Sequence, residues 1–144
     1  MNVCRAEENG EWFHVYSDDL SPVYEDRYAF VGPIKMADGQ LRARVEIETE
    51  GDAPNEWCHI GFDGKPISDA RYKFVGDFHC GFARVQRFDG KWLHIFSNGE
   101  PAYGDIVFDA AHDFEDDCAK VLDGNKWVIV QAFSVETVDI AIAV

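Results

Sequence analysis

Apolar residues crowd four short runs, each opened by a charged residue and a Trp: Glu11-Trp12-Phe13-His14-Val15, Glu56-Trp57-Cys58-His59-Ile60, Lys91-Trp92-Leu93-His94-Ile95 and Lys126-Trp127-Val128-Ile129-Val130. Successive side chains of a strand point to opposite faces. Trp12, His14 and Tyr16 therefore share one face and Phe13 and Val15 the other. The same split sets Trp57 and His59 against Cys58 and Ile60, and Trp92, His94 and Phe96 against Leu93 and Ile95. A turn signal stands just ahead of each run, at Asn9-Gly10, Asn55, Asp89-Gly90 and Asp123-Gly124-Asn125. Asn-Gly and Asp-Gly adopt the positive φ of tight hairpin turns. Each Trp is thus predicted to open the second strand of a hairpin whose first strand is 3–6, 42–47, 82–87 or 119–122. Both faces of these strands carry bulk, so the sheets need cover on both sides.

The runs form a repeat. The four tryptophans stand 45, 35 and 35 residues apart. Ala43-Arg44-Val45, Ala83-Arg84-Val85 and Ala119-Lys120-Val121 recur in the first strands, and Arg27-Tyr28-Ala29-Phe30-Val31-Gly32 and Arg71-Tyr72-Lys73-Phe74-Val75-Gly76 in the connectors. A second turn (Asp18-Asp19, Asp63-Gly64, Asn98-Gly99) is followed each time by a proline, Pro22, Pro66 or Pro101, which lacks a ladder donor and punctuates the unit. The fold class expected is all-β, with tandem hairpin or meander repeats of about 35 residues stacked or rolled into a single domain, 1–144. Its units run approximately 1–45, 46–85, 86–121 and 122–144. The pattern fits a closed ring and an open stack equally, and leaves the oligomeric state open. Segment 133–144 lacks the repeat but alternates at Val135, Val138, Ile140 and Ile142. It is read as a terminal strand that caps the array or closes it on the first unit.

An Ala-x-Val strand, an Asn/Asp-Gly turn, a Lys-Trp strand, a Gly-containing turn and an aromatic connector ending in Phe-x-x-Gly-x-Ala together resemble the WG (KWG) repeats of mostly bacterial proteins. The resemblance is best over 56–131 and looser over 3–45. The residue after each Trp is Phe13, Cys58, Leu93 or Val128 in place of the family's Gly, so the chain resembles a divergent member. His14, His59 and His94 also replace a usual aromatic. The resemblance implies a β-rich array serving in interactions, with no catalytic residues to carry over.

Charge narrows the partner. With 13 Lys and Arg against 27 Asp and Glu, the 144-residue chain has a formal net charge of −14. Such a surface repels phosphate backbones and attracts basic proteins. A protein partner of basic character is expected, as for an immunity or inhibitor protein, and nucleic acid is not, unless the chain mimics DNA toward its partner. At 47% hydrophobic the chain has enough apolar mass for a core. No apolar run approaches the roughly 18 residues of a membrane span, and Glu7 and Glu8 stand where a signal peptide would be basic and then apolar. A cytoplasmic location is expected, with Cys4, Cys58, Cys80 and Cys118 as free thiols.

Tyr16, Trp57, Tyr72 and Trp92 are the candidate partner anchors, because Trp and Tyr dominate interface energetics; core packing competes for each of them. The polar insertion Glu48-Thr49-Glu50-Gly51-Asp52-Ala53-Pro54 breaks the period, and its Glu50 and Asp52 are candidate contacts, since insertions in repeat arrays project from one face. His14, His59 and His94 share one phase and would form a metal cluster only if the units surrounded an axis, because zinc ligands must lie within ~2.0–2.3 Å of the ion. That is the alternative reading as a small metal-dependent hydrolase. Sugar binding on exposed Trp rings is another. No nucleophile elbow or phosphate loop is present, so neither catalysis nor a cofactor is expected.

Overall fold

Each Trp run pairs with the segment before it as an antiparallel hairpin. The computed structural model describes residues 2–132 and the backbone of 138–142. β1 (Val3–Glu8) and β2 (Glu11–Tyr16) join through Asn9 and Gly10, whose φ angles of 56° and 82° give the doubly left-handed turn that the strand twist favours. The second unit comprises β3 (Phe30–Val31), β4 (Lys35–Ala37), β5 (Gln40–Ile47) and β6 (Glu56–Ile60), all paired through β5. The third holds β7 (Phe74–Val75), β8 (Phe82–Gln86) and β9 (Trp92–Phe96). The fourth holds β10 (Ala110–Ala111), β11 (Cys118–Asp123), β12 (Lys126–Ala132) and β13 (Val138–Ile142). The β4–β5 hairpin, turned by Asp38 and Gly39, is an addition to the Trp-centred plan.

The connectors stitch the sheets together. Tyr28 exchanges two backbone hydrogen bonds with Trp12 (2.8 and 3.0 Å), and two residues later Phe30 and Val31 pair with Glu46 and Val45. One extended segment thus begins as the neighbour of a Trp strand and ends as the outer strand of the next hairpin. Tyr72 and Phe74–Val75 repeat this between the second and third sheets, and Phe108 and Ala110–Ala111 between the third and fourth. Pro22, Pro66 and Pro101 sit opposite Val15, Ile60 and Ile95, where the chain first returns to the Trp strand.

Among the described residues three apolar clusters form, each joining one unit to its neighbour. Phe13, Val15 and Tyr24 meet Val31, Val45, Cys58 and Ile60; Trp57 and Ile67 meet Val75, Val85, Leu93 and Ile95; Phe82 and Trp92 meet Phe108, Phe114, Val121 and Val130. Val45, Val85 and Val121, at one repeat position, are fully buried. Burying a side chain of that size contributes roughly 1.5–3 kcal/mol, and in each case the cover includes the crossover from the preceding unit.

The terminal strand extends the fourth sheet. β13 pairs antiparallel with β12, from Val138 opposite Ala132 to Ile142 opposite Val128, and among the described residues no pairing joins it to β1. The closure alternative is therefore corrected: the edge of β12, which in earlier units holds the returning connector, takes β13 instead. Val135, with 133–137 and 143–144, lies outside the described residues.

The second turn of each unit packs on the preceding one. Gly64 is buried at φ 81°, and a Cβ there would run into the Tyr24 ring; Gly99, at φ 88°, faces Ser68, the residue at the Tyr24 position of the next unit. Gly90, at φ 90°, has open space around it. Gly64→Ala is expected to cost roughly 2–4 kcal/mol, combining left-handed strain with overpacking, and Gly90→Ala about 1–2 kcal/mol from strain alone. Urea unfolding of the two variants measures the difference, and equal losses would show that Tyr24 does not press on Gly64.

Candidate functional site

The repeated histidines are buried, each 2% exposed or less. His14 Nε2 lies 2.8 Å from the Gly32 carbonyl, His59 Nε2 2.7 Å from that of Gly76, and His94 Nε2 2.8 Å from that of His112. A carbonyl only accepts, so Nε2–H donates and Nδ1 is left as an acceptor. The Tyr24 hydroxyl donates to His14 Nδ1 at 2.5 Å. The Tyr103 hydroxyl accepts from the His94 backbone N–H (3.0 Å) and donates to its Nδ1 (2.9 Å). His59 instead packs against the Phe78 ring, with centroids 4.6 Å apart. Burial holds all three imidazoles neutral: it lowers His14 below its ordinary value and brings His59 and His94 to about 4, against the opposing pull of the carbonyl bonds. Each histidine clamps the crossover that leaves its own sheet.

The metal alternative is corrected by this arrangement. His14, His59 and His94 sit in three different sheets, each with Nε2 committed to a carbonyl. Among the described residues no three His, Cys, Asp or Glu side chains gather as an ion would require. Cys58 is buried and its thiol is pushed up to about 11 by that burial, so it packs as a small apolar group. All four cysteines are free.

The Trp side chains form a ladder with the crossover phenylalanines. Centroids run Trp12–Phe30 5.9 Å, Phe30–Trp57 5.8 Å, Trp57–Phe74 6.3 Å and Phe74–Trp92 5.8 Å, all tilted. Arginines from the first strands cap the rungs: Arg5 over Trp12 and Phe30, Arg44 over Phe30 and Trp57, Arg84 over Phe74 and Trp92. Arg44 pairs with Asp77 at 3.6 Å and Arg84 with Asp113 at 3.2 Å, both acids lying on the next crossover. The rungs are half-buried, so one edge of the ladder faces solvent.

Of the proposed anchors, Trp57 and Trp92 fall on this ladder, joined through Phe74. Tyr16 lies at the far end of β2, edge-on to Phe62, away from the ladder. Tyr72 is corrected as an anchor: it is 9% exposed, because its backbone pairs with Trp57 and its ring fills the core against Val75 and Val85. Glu50 and Asp52 are exposed in a loop closed by its own bonds, Thr49 Oγ1 to the Ala53 and Pro54 carbonyls and Asn55 to Glu46, the residue opposite Trp57. The loop therefore hangs beside the ladder.

The arginines and Phe30 and Phe74 were not singled out in the sequence, although their recurrence in Ala-Arg-Val and Tyr-x-Phe-Val-Gly carried the signal. The groove between the first two hairpin turns was missed as well. It is about 300 Å³ and is lined by Glu11, Arg27, Tyr28, Ile47 and Glu48 among others. Glu7, Glu8, Glu11, Glu48, Glu50 and Asp52 are exposed around this end, and none of their carboxylates makes a hydrogen bond or ion pair with the described residues. Chemically this end offers unpaired carboxylates beside half-exposed indoles.

A family model described as WG containing repeat matches residues 63–92 and 105–127. Each matched stretch runs through a crossover to the next Trp. No curated protein and no solved structure matches the chain. Among the described residues no helix is long and apolar enough to cross a membrane.

The buried histidines make stability depend on pH. Unfolded His takes up its proton near 6.5, while folded His59 and His94 do so only near 4. Between those values the unfolded chain binds more protons, so the stability is complete above pH 6.5 and is lost as the pH falls toward 4, at roughly 1.4 kcal/mol per pH unit for each residue. His94→Leu leaves the His112 carbonyl without its donor and the Tyr103 hydroxyl without the acceptor for its proton, though still accepting from the backbone N–H of residue 94, at a cost of roughly 2–4 kcal/mol, and should flatten this slope. Urea unfolding between pH 7.5 and 5 tests both; an unchanged slope in the variant contradicts the assignment.

Proposed function

We propose that this chain, whose repeats match the WG-containing-repeat model over residues 63–92 and 105–127, is a non-catalytic interaction module that captures a basic protein, in the manner of an immunity or inhibitor protein. One observation carries the reading. Glu7, Glu8, Glu11, Glu48, Glu50 and Asp52 gather at the hairpin-turn end of the first two units, exposed and with no internal partner among the described residues. Acids that stabilise the fold are used differently: Asp113 and Asp77 pair with the ladder arginines, and Asp19, Asp63 and Asp89 close their own turns. Unpaired like charges repel one another, and a cationic partner relieves that repulsion while being steered in by the long-range field.

Trp57 and the exposed edge of the ladder supply the apolar contact next to this rim. A charged rim around an aromatic centre is the common anatomy of protein interfaces. The histidines take no part, since they are spent on holding crossovers.

The immobilised chain is expected to retain a basic protein from lysate at low salt and to release it as salt rises. Glu11→Lys with Glu48→Lys and Glu50→Lys should slow association on the order of ten-fold while leaving the melting temperature nearly unchanged. Trp57→Ala should instead speed dissociation. Absence of any retained protein at every ionic strength, or full retention by the triple variant, argues against this reading.

A further inference from the structure

Among the described residues the first Trp hairpin lacks an outer strand that the other three Trp hairpins have. β5, β8 and β11 each carry a crossover strand on the edge away from the Trp strand, held by the same pair of bonds. Ala29 N and Gly32 N donate to the Glu46 and Arg44 carbonyls (2.9 and 2.8 Å). Lys73 N and Gly76 N donate to Gln86 and Arg84 (2.8 and 2.9 Å), and Asp109 N and His112 N to Leu122 and Lys120 (2.7 and 2.9 Å). β1 pairs only with β2 among the described residues. By hairpin register, Cys4, Arg5, Ala6 and Glu7 of β1 stand where Ala43, Arg44, Val45 and Glu46 stand in β5. Val45, Val85 and Val121 are fully buried beneath their crossovers, whereas Ala6 is only half-buried and Cys4 is exposed.

The ladder is short by one rung at the same place. Trp57 has an aromatic neighbour on each side, Phe30 and Phe74, but among the described residues Trp12 has Phe30 alone. Arg44 spans the phenylalanine docked on its own sheet and the Trp beside it; Arg5 has the Trp but, among the described residues, no docked aromatic of its own sheet, and reaches forward to Phe30. The structure thus displays, at its internal junctions, the kind of ligand this edge is shaped for.

We propose that the outer edge of β1 receives an extended segment of a partner protein, with an aromatic residue followed by a β-branched residue and glycine, by strand addition. The segment's N–H groups would donate to the Glu7 and Arg5 carbonyls, as Ala29 and Gly32 do to Glu46 and Arg44. Its aromatic ring would lie beside Trp12 under Arg5, and its β-branched residue would cover Ala6. Glycine is required at the last position because Arg44 and Arg84 lie directly over Gly32 and Gly76, where a Cβ would come 2.9 and 3.2 Å from their Cγ atoms. Strand addition of this kind draws affinity from the backbone and specificity from alternate side chains. The proposal deepens the interaction reading and rests on it.

The probe is a fluorescein-labelled peptide with the sequence of residues 71–77, Arg-Tyr-Lys-Phe-Val-Gly-Asp, titrated with the full chain by fluorescence polarisation. Saturable binding is expected, falling at least ten-fold when the peptide's Phe is replaced by Asp or its Gly nitrogen is methylated. Both peptide changes leave the protein untouched. Glu7→Pro removes an outward N–H while sparing the bonds to β2, since the Glu8–Glu11 pair flanking the two-residue turn faces inward and Glu7 outward; it should weaken binding similarly at an unchanged melting temperature. No saturable binding up to about 1 mM, or equal binding by the methylated peptide, overturns the proposal. So does a self-associated chain that Glu7→Pro renders monomeric, for then a second copy occupies the edge. Salt-dependent retention of a basic protein without peptide binding sinks this proposal alone, and the converse sinks only the acidic-rim reading.

Discussion

Where 28–32 passes from the first sheet to the second, its backbone leaves one ladder and joins another. Its last carbonyl, on Gly32, turns back toward the sheet it has left. A buried carbonyl without a donor costs roughly 1–3 kcal/mol, and the same carbonyl recurs at each later crossover. His14, His59 and His94 supply that donor from the Trp strand of the unit being left. An imidazole is well suited to the position. It is flat enough to lie among aromatic rings, and as a neutral group it has one donor and one acceptor, so it holds the crossover with one nitrogen and can take a tyrosine hydroxyl with the other.

The last unit shows that these residues work as a set. At the repeat positions of His94, Arg84, Phe74 and Gly76 it carries Ile129, Lys120, Ala110 and His112. Ile129 has no crossover carbonyl to hold and pairs with β13 instead. No arginine lies over position 112, so a side chain fits where Gly32 and Gly76 had to be bare, and the His112 ring settles 5.4 Å from Trp127. Without a phenylalanine at 110 the ladder stops at Trp92, and Trp127 is 43% exposed. These departures follow from one another through a shared junction.

Local chemistry was legible in the sequence and long-range partnership was not. Asn9-Gly10 and Asp89-Gly90 announce their hairpins because left-handed φ is a property of the residues themselves. The Trp spacing gave the repeat, and alternation put Trp57 and His59 on one face. Alternation could not say that His59 reaches a carbonyl 17 residues away, nor that Tyr72 would be drawn into the core by pairing with Trp57. Asp38-Gly39 is as clear a turn signal as the others, yet it lies outside the Trp period and so was passed over. The candidate site was half visible: the insertion holding Glu50 and Asp52 stood out by breaking the period, but its placement beside Glu11 depends on how two hairpins stack.

The acids differ in what they touch, and those of the first two hairpin ends share their lack of a carboxylate partner among the described residues with Asp18, Asp105, Asp116 and Asp117 elsewhere. Asp19, Asp63 and Asp89 each accept the backbone N–H two residues on, at 3.0, 3.0 and 3.1 Å, and Asn98 does the same at 2.9 Å without any charge. At those turns the side-chain oxygen matters and the charge is incidental, as Asn98 demonstrates; hydrogen bonds with Ser21 and Lys91 hold Asp19 and Asp89 below the usual carboxylate range. The acids of the first two hairpin ends have no such employment among the described residues. For them the charge itself is the property that distinguishes Glu from the neutral residues a turn would accept equally well. A net charge of −14 works against compactness through self-repulsion. Concentrating part of it at one end, next to an indole, is understandable if that end meets a cation from outside.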